Sequence, residues 1–365
     1  MSRRLMVFIP VIAIALVVMG AQSLTGAEVP QLKVGYIFTT NHTPLMVAMQ
    51  LGDKLNAGGY TLSEVVAKEK YLLRKNGNDI AMMDILVTKS GSETATLFAQ
   101  GNLDIGLASI TAIMDGVDSK SPIKIVAPLI LASGGLVVGR NSPVNNWAGF
   151  IAAIKSSKIP LNVGYHSPSS SPIIILEEAL RSEGIRISYN PMDSKAQVIL
   201  VDLKGTANLL PALSSGQVFA AVGPDPFPPN AEVRGAGKGI IQLRDMPPAG
   251  KWTHYPCCVV SASDKLIASN PALVQEFVNF IISASRWCND NQEQASILAA
   301  QWIGLSEDVG KLLRSTFLES FTDGWKDGAD GFMEVLDQSG HFNGVLKGKS
   351  FRQSESLLVD PRFLK

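Results

Sequence analysis

The chain has 365 residues, 46% hydrophobic and 18% charged, with 32 Lys and Arg against 32 Asp and Glu. Balanced charge removes any electrostatic drive toward nucleic acid or an anionic membrane surface. Three cysteines, Cys257, Cys258 and Cys288, are too few for a disulfide framework, and the length suits two domains of ordinary size.

At the N-terminus, Arg3 and Arg4 precede an apolar run from Leu5 to Met19, interrupted only by Pro10. Ser23-Leu24-Thr25-Gly26-Ala27 then ends in small residues. This order predicts a secretory signal peptide over residues 1–27, cut after Ala27. The run is shorter than the ~20 residues of a membrane-spanning helix, although an uncleaved anchor is the alternative. With no cysteine in the leader, a lipid anchor is not expected. Taking 27 residues from 365 leaves 338, with 30 basic residues once Arg3 and Arg4 are lost, against 32 acidic. No later apolar stretch is long enough to cross a bilayer, so a periplasmic or other extracytoplasmic protein is expected.

Gln31 to Phe38 alternates as a strand, and Pro44 to Leu51 follows as a helix with proline in its first turn. Tyr60 to Ala67 is a candidate strand. Ile80 to Thr88 is β-rich and leads into a helix over Glu93 to Gln100, with Ser92 as the expected N-cap and Gly101 as the stop. Leu103 to Leu107 is a strand, followed by a helix to Met114. Ile123 to Ala132 is a strand, expected to bend or change sheets at Pro128. The pattern then repeats in kind: strands at Leu136 to Gly139, Leu161 to Tyr165, Gln197 to Leu203 and Val218 to Val222. Helices at Asn145 to Lys155, Ile173 to Glu183 and Thr206 to Ser214 lie between them. Cys257 to Ser261 is a further strand, and Ser263 to about Asp337 is mostly helical, with caps at Ser269-Asn270-Pro271 and Ser306.

Strands alternating with helices predict an α/β fold in which sheets with parallel strands are flanked by helices. Two such sets indicate two lobes. Residues 28–130 with 252–365 are expected to form lobe one, and residues 131–251 lobe two. Pro128 to Gly134 and Pro247 to Tyr255 are the expected crossings.

In open α/β sheets, ligands sit beyond the carboxyl ends of strands, against helix N-termini. Short hydroxyl-rich loops recur there: Thr39 to His42, Ser90 to Ser92, Ala108 to Thr111 and Ser167 to Ser171. Any one serine could simply cap its own helix, but the repeated placement points to a shared cleft. Free N–H groups and hydroxyls of this kind suit a carboxylate, sulfonate or similar oxyanion.

The segments LKVGYIFTTNHTPLMVAMQLG, SGSETATLFAQGNLDIGLASITAIMDG with SPIKIVAPL, and ASNPALVQEFVNFIISASRWCNDNQEQASILAAQWIGL carry a family likeness. Together they resemble solute-binding proteins of the nitrate/sulfonate/taurine ABC-importer group, which includes the NMT1/THI5-like domain. The resemblance spans roughly residues 32 to 305. It implies a type II periplasmic-binding-protein fold, two lobes joined by a two-strand hinge. They would close over a small solute, expected to be oxyanionic or an organic acid, for delivery to an ABC permease. Carried over residue by residue, it implies ligand contacts at Thr40, Asn41, His42, Ser92 and Ser109 in lobe one. In lobe two it implies His166, Ser167, Ser169, Ser170 and Asp225, and Cys257 lies near the crossing. No arginine falls in these loops, Lys89 is the nearest cation, and Phe38, Phe227 and Trp252 are candidate walls for a neutral or aromatic solute.

His254-Tyr255-Pro256-Cys257-Cys258 permits a soft-metal site, a vicinal disulfide or a nucleophile. Strand alternation, however, predicts one cysteine facing a core and the other a cleft. His42, His166 and His254 fall on expected cleft loops, and His341 is expected to be exposed. No G-x-S-x-G, G-x-x-x-x-G-K-[ST] or H-E-x-x-H motif is present, so no enzyme activity, cofactor or resident metal is expected, and the protein is expected to be a monomer. The competing functions are a metal-binding or thiol-redox protein using His254, Cys257 and Cys258, a pyrimidine-precursor-synthase-like enzyme, and a sensor domain.

Overall fold

The structure is a computed structural model that describes residues 29–364, so the expected signal peptide lies outside the described residues. Two mixed sheets organise the chain. The first has seven strands in the order β2-β3-β4-β1-β5-β13-β6. These are β1 (Gln31–Ile37), β2 (Tyr60–Val66), β3 (Lys70–Lys75), β4 (Asn78–Thr88), β5 (Ile105–Ser109), β6 (Ile123–Leu131) and β13 (Pro256–Ser263). The second has six, in the order β12-β7-β11-β8-β10-β9. They are β7 (Gly135–Gly139), β8 (Leu161–Tyr165), β9 (Ile187–Ser188), β10 (Val198–Asp202), β11 (Ala220–Gly223) and β12 (Gly237–Gln242).

Helices cover both sheets. Those tied to the first are α1 (Thr43–Leu51), α2 (Gly91–Ala99) and α3 (Ile110–Asp118). Those of the second are α4 (Trp147–Ser156), α5 (Ser171–Ser182), α6 (Leu209–Ser214) and α7 (Phe227–Val233). The remainder runs as α8 (Asp264–Ser269), α9 (Pro271–Asp290), α10 (Gln292–Trp302), α11 (Glu307–Leu312), α12 (Asp323–Gln338) and α13 (Phe351–Leu358). Asn270 caps α9 by accepting from Leu273 N at 3.1 Å, with Pro271 at the first position, where its missing N–H costs nothing.

β1 pairs in parallel with β4 and β5, whereas β13 runs antiparallel to both β5 and β6. The strand that returns last is therefore inserted beside β5. Its side chains meet the ends of β1 and β5 although more than a hundred residues separate them in sequence. Pro128 does not send β6 to the other sheet: β6 continues to Leu131 at the sheet edge, where a residue without an N–H is tolerated. β3, β9, β12, α7 and α13 are additional to the predicted elements. β3 forms a hairpin with β4 across Asn76-Gly77, both at positive φ.

The chain passes between the sheets twice, at 132–134 and 243–255. These segments touch: Ala132 N donates to Tyr255 O at 3.1 Å, and Leu243 N donates to Gly134 O at 3.0 Å. Tyr255 Oη donates to Ser133 O at 2.7 Å and accepts from Ser133 N at 2.8 Å. Gly134 has φ +103°, and a Cβ there would lie 2.3 Å from Gly223 O, so only glycine fits this crossing. Trp252, expected as a pocket wall, is instead fully buried in the crossing and packs on Phe332 of α12 with ring centroids 5.2 Å apart.

Candidate functional site between the two sheets

The facing ends of the two sheets are built from strand-loop-helix switch points. Thr40, Asn41 and His42 form a single 3₁₀ turn after β1, Ser92 sits in the first turn of α2, and Ser109 joins β5 to α3. His166, Ser167, Ser169 and Ser170 occupy the loop from β8 to α5, and Asp225 follows β11. All of these except Ser92 and Asp225, which keep some exposure, are buried. Ser90 rather than Ser92 caps α2, accepting from Glu93 N at 3.3 Å. That leaves Ser92 free to reach across, because a residue two positions into a helix cannot cap it.

Direct hydrogen bonds cross the seam. Ser92 Oγ lies 3.0 Å from Ser167 Oγ, and Ser109 Oγ lies 2.8 Å from Ser171 Oγ. Thr111 Oγ1 donates to Ser169 O at 2.7 Å, and Ser169 Oγ donates to Asp115 Oδ2 at 2.8 Å. Thr39 Oγ1 donates to Asp225 O at 2.6 Å. Thr39, Thr111, Asp115, Ser133 and Ser171 thus join the predicted residues. Thr39, Thr111 and Ser171 lay inside the hydroxyl-rich loops. Nothing local in the sequence singled out Asp115 or Ser133, whose roles depend on the approach of the other lobe.

At the crossing, Ser133 Oγ stands 2.7 Å from Asn41 Oδ1 and 3.0 Å from Asp225 Oδ2. One hydroxyl proton cannot serve both oxygens. Burial pushes the Asp225 carboxyl above the usual carboxylate range, opposed by Ser133, the Gly134 amide and Arg244. A protonated Asp225 would donate to Ser133, leaving Ser133 to donate to Asn41, which satisfies all three groups. Asn41 Nδ2 then faces sulfur, 3.1 Å from Cys257 Sγ and 3.8 Å from Cys258 Sγ.

The two cysteines do not point to opposite faces. β13 shifts register against β6 on both sides of Cys258, a bulge that breaks simple alternation. Both thiols are buried, with their sulfurs 4.0 Å apart. The proton shared with Cys257 lowers the Cys258 thiol, helped by His42 and Asn41, while Cys258 and burial push Cys257 up. His42 Nδ1 accepts from Ile37 N at 3.0 Å, which places the neutral ring's proton on Nε2. That Nε2 is buried with no partner in ordinary hydrogen-bond geometry, as are Thr40 Oγ1 and His166 Nδ1. Buried polar atoms are rarely left so. Burial lowers His166 to about 4, against a smaller opposing pull from Asp202, so the ring is neutral at pH 7.

His254 departs from the expected cleft. It is exposed, beside Gly324 of α12 and away from the buried cysteines. Among the described residues no group of three or more His, Cys, Asp and Glu side chains is placed to hold a metal ion. His341 is half-buried rather than exposed, and burial lowers its pKa. Lys89 is exposed, and Asp104 accepts from Lys33 N at 2.9 Å within the first sheet.

A cavity of about 900 Å³ lies elsewhere, between residues 250–254 and α12. Its carboxylates are already engaged. Asp330 accepts from Phe351 N, Asp337 accepts from Gly348 N at 2.9 Å, and Glu334 pairs with Lys251 at 2.9 Å. Two smaller grooves flank Asp225 at the rim of the seam: about 580 Å³ on the side of Phe38 and Phe227, and about 510 Å³ on the side of Gly134 and Arg244.

Known structures share this architecture. The ligand-binding component of an ABC-type import system from Staphylococcus aureus, solved with zinc bound, matches over 92% of this chain and 98% of its own (TM-score 0.69, 16% identity). The nitrate-binding protein of Synechocystis PCC 6803 matches over 87% and 83% (TM-score 0.63, 15%). The alkanesulfonate-binding protein of Xanthomonas axonopodis pv. citri, bound to MOPS, matches over 93% and 96% (TM-score 0.61, 15%). In sequence, an uncharacterised protein of Methanocaldococcus jannaschii is 31% identical over 105 residues, 28% of this chain and 72% of that protein. The fold is that of the periplasmic binding proteins, and among the described residues no helix is long and apolar enough to cross a membrane. A profile of the NMT1-like family matches residues 25–304, and the chain belongs to that family.

Proposed function

We propose that this protein is the extracytoplasmic solute-binding component of an ABC importer, exported by the leader at residues 1–27. In this reading, lobe one is residues 28–130 with 252–365 and lobe two is 131–251. They close over a small solute and present the closed form to a membrane permease. The observation that carries the reading is the seam. Five switch-point loops from two sheets meet there through small hydroxyl and amide groups, and three polar atoms beside them remain buried and unpaired. Groups of this kind exchange readily between each other, water and a guest.

The solute contacts are assigned to Thr40, Asn41, His42, Ser92 and Ser109 on one side, to His166, Ser167, Ser169, Ser170 and Asp225 on the other, and to Cys257 at the crossing. The solute is an organic acid or oxyanion, gripped by N–H and O–H donors at helix starts. No bond is made or broken. Closure follows from the solute's greater affinity for the closed form alone.

A thermal-shift screen of nitrate, methanesulfonate, short carboxylates and pyrimidines, on protein stripped by unfolding and refolding, tests this. Binding to the native state alone stabilises it by about 2.7 kcal/mol at one hundred times Kd, so at least one class should raise Tm by several degrees. A flat response across the panel would sink the proposal.

A further inference from the structure

We propose that Cys257 and Cys258 form a two-thiolate site for a single soft monovalent metal ion, of the Cu(I) or Ag(I) kind, at the inner end of the seam. This goes beyond the solute-binding reading: the occupant is a cation held by sulfur, not a guest held by hydroxyls. Adjacent residues on a regular strand send their side chains to opposite faces, so two neighbouring thiols ordinarily cannot share a ligand. The bulge at Cys258 removes that obstacle, and the two sulfurs stand 4.0 Å apart. A disulfide ordinarily needs Cα atoms at least about 4.4 Å apart, whereas chain neighbours are held near about 3.8 Å. Closing the pair on itself is therefore strained. Two metal–thiolate bonds of about 2.3 Å span up to about 4.6 Å, so one ion fits between sulfurs at this separation with little side-chain movement.

The surroundings select the ion. Zn(II) takes four ligands, and among the described residues no group of three or more His, Cys, Asp and Glu side chains is placed to supply them. Soft ions of the Cu(I) type prefer thiolate and are satisfied by two. Uptake forms two metal–sulfur bonds and releases two thiol protons to solvent. The product, two thiolates around one monovalent cation, carries one net negative charge and needs N–H donors rather than further ligands. Those donors are present. Asn41 Nδ2 lies 3.1 Å from Cys257 Sγ and 3.8 Å from Cys258 Sγ. His42, in the same turn and beside Cys258, is fully buried; Ile37 N occupies its Nδ1, and its Nε2 has no partner. A buried ring N–H is rarely left without an acceptor, and anionic sulfur next to it supplies one. His42 thus takes the place that the sequence offered to His254, as a donor to sulfur rather than as a ligand. Entry follows the seam. Asn41 is tied to Ser133, and Ser171 Oγ of α5 donates to Cys257 O at 3.5 Å, so separation of the lobes uncovers the thiols.

Titration of the reduced, anaerobic protein with Cu(I) against the chromophoric chelator bicinchoninate tests the assignment, using wild type, Cys257→Ser, Cys258→Ser and Cys288→Ala. Wild type and Cys288→Ala, whose lost thiol belongs to α9, should each take up one Cu(I) per chain. Either serine variant should bind at least about a hundredfold more weakly, since losing a ligand costs more than losing an outer-shell partner. Melting temperatures without metal serve as the folding control. X-ray absorption of Cu(I)-loaded wild type needs no variant and should show two sulfur neighbours, and Zn(II) should be lost on gel filtration. Folded wild type that takes up no Cu(I) overturns the site. So does uptake that survives both serine substitutions, or Zn(II) retained at one per chain through the same cysteines. No Cu(I) uptake beside a positive solute screen removes the ion site and leaves solute binding standing, whereas Cu(I) uptake beside a flat screen does the opposite.

Discussion

The two sheets are joined at two places of opposite character. At the hinge, contact is made by Trp252, Tyr255 and Phe332, all fully buried, by backbone hydrogen bonds, and by a glycine pressed against Gly223 and Pro224. At the seam, it is made by hydroxyls meeting hydroxyls and backbone carbonyls at 2.6–3.0 Å. Burying aromatic surface is worth several kcal/mol per side chain and has no aqueous substitute. A neutral hydrogen bond nets only about 1 kcal/mol, because water replaces either partner. The molecule therefore has one junction that must persist and one that can open and reclose. A protein that captures and releases a guest needs that division.

Substitutions at each junction should break this contrast if it is wrong. The largest effect belongs to the hinge: Trp252→Ala removes a fully buried indole and should cost about 3–5 kcal/mol, measured by urea unfolding. A loss below about 1 kcal/mol would mean that the hinge is no firmer than the seam.

Next comes the seam's response to acid, through His166. Its folded pKa is about 4, against 6.5 in an unfolded chain, so the native state binds its proton later than the unfolded state does. His166 therefore imposes no penalty above pH 6.5. Stability falls as pH drops from 6.5 through about 4, by about 3 kcal/mol in all at 1.36 kcal/mol per pH unit. Asp225, raised by burial, acts in the opposite sense, as does Glu177, whose pKa burial also raises. The difference between wild type and His166→Asn isolates the histidine. Parallel stability-versus-pH curves for the two proteins would show that His166 is not held neutral.

The smallest effect on stability belongs to Ser109. It bridges Thr111 at 2.8 Å and Ser171 at 2.8 Å, but those two lie 3.5 Å apart and can turn to each other. Ser109→Ala should cost about 1 kcal/mol, yet shift the ligand-free molecule toward an open form, seen as a larger radius of gyration in solution scattering. A cost near that of Trp252→Ala would erase the distinction between the junctions.

Much of the fold was legible in the sequence because strand and helix periods are local properties. β1, β5, β8 and β10 follow apolar runs, and α5 and α9 begin at proline-led caps. β3 and β12 were not legible. β3 is a short, charged half of a hairpin, and β12 is glycine-rich, with Gly237 pressed against Val137 and Leu213. β3 buries Tyr71, Leu72 and Leu73 in a row without alternation, and β12 has few side chains, so in both the neighbouring ladder rather than a period-2 pattern marks the strand. The hydroxyl-rich loops could be picked out because they stand at the carboxyl ends of strands, a position that topology alone marks as a ligand site. Their partners could not be. Ser133 acquires meaning only when Asn41 and Asp225 arrive from 92 residues away on either side.

By itself, then, the sequence determined the alternation of strands and helices, the polar character of the loops between them and the absence of a cation within those loops. Only the tertiary structure decided which loops face one another, that a bulge turns Cys257 and Cys258 to the same side, and that His254 lies away from both. The physical reason is range. Backbone propensity and side-chain period act over a few residues, whereas a site between lobes is made by strands such as β13 that cross back after more than a hundred residues, and no local pattern encodes where they land.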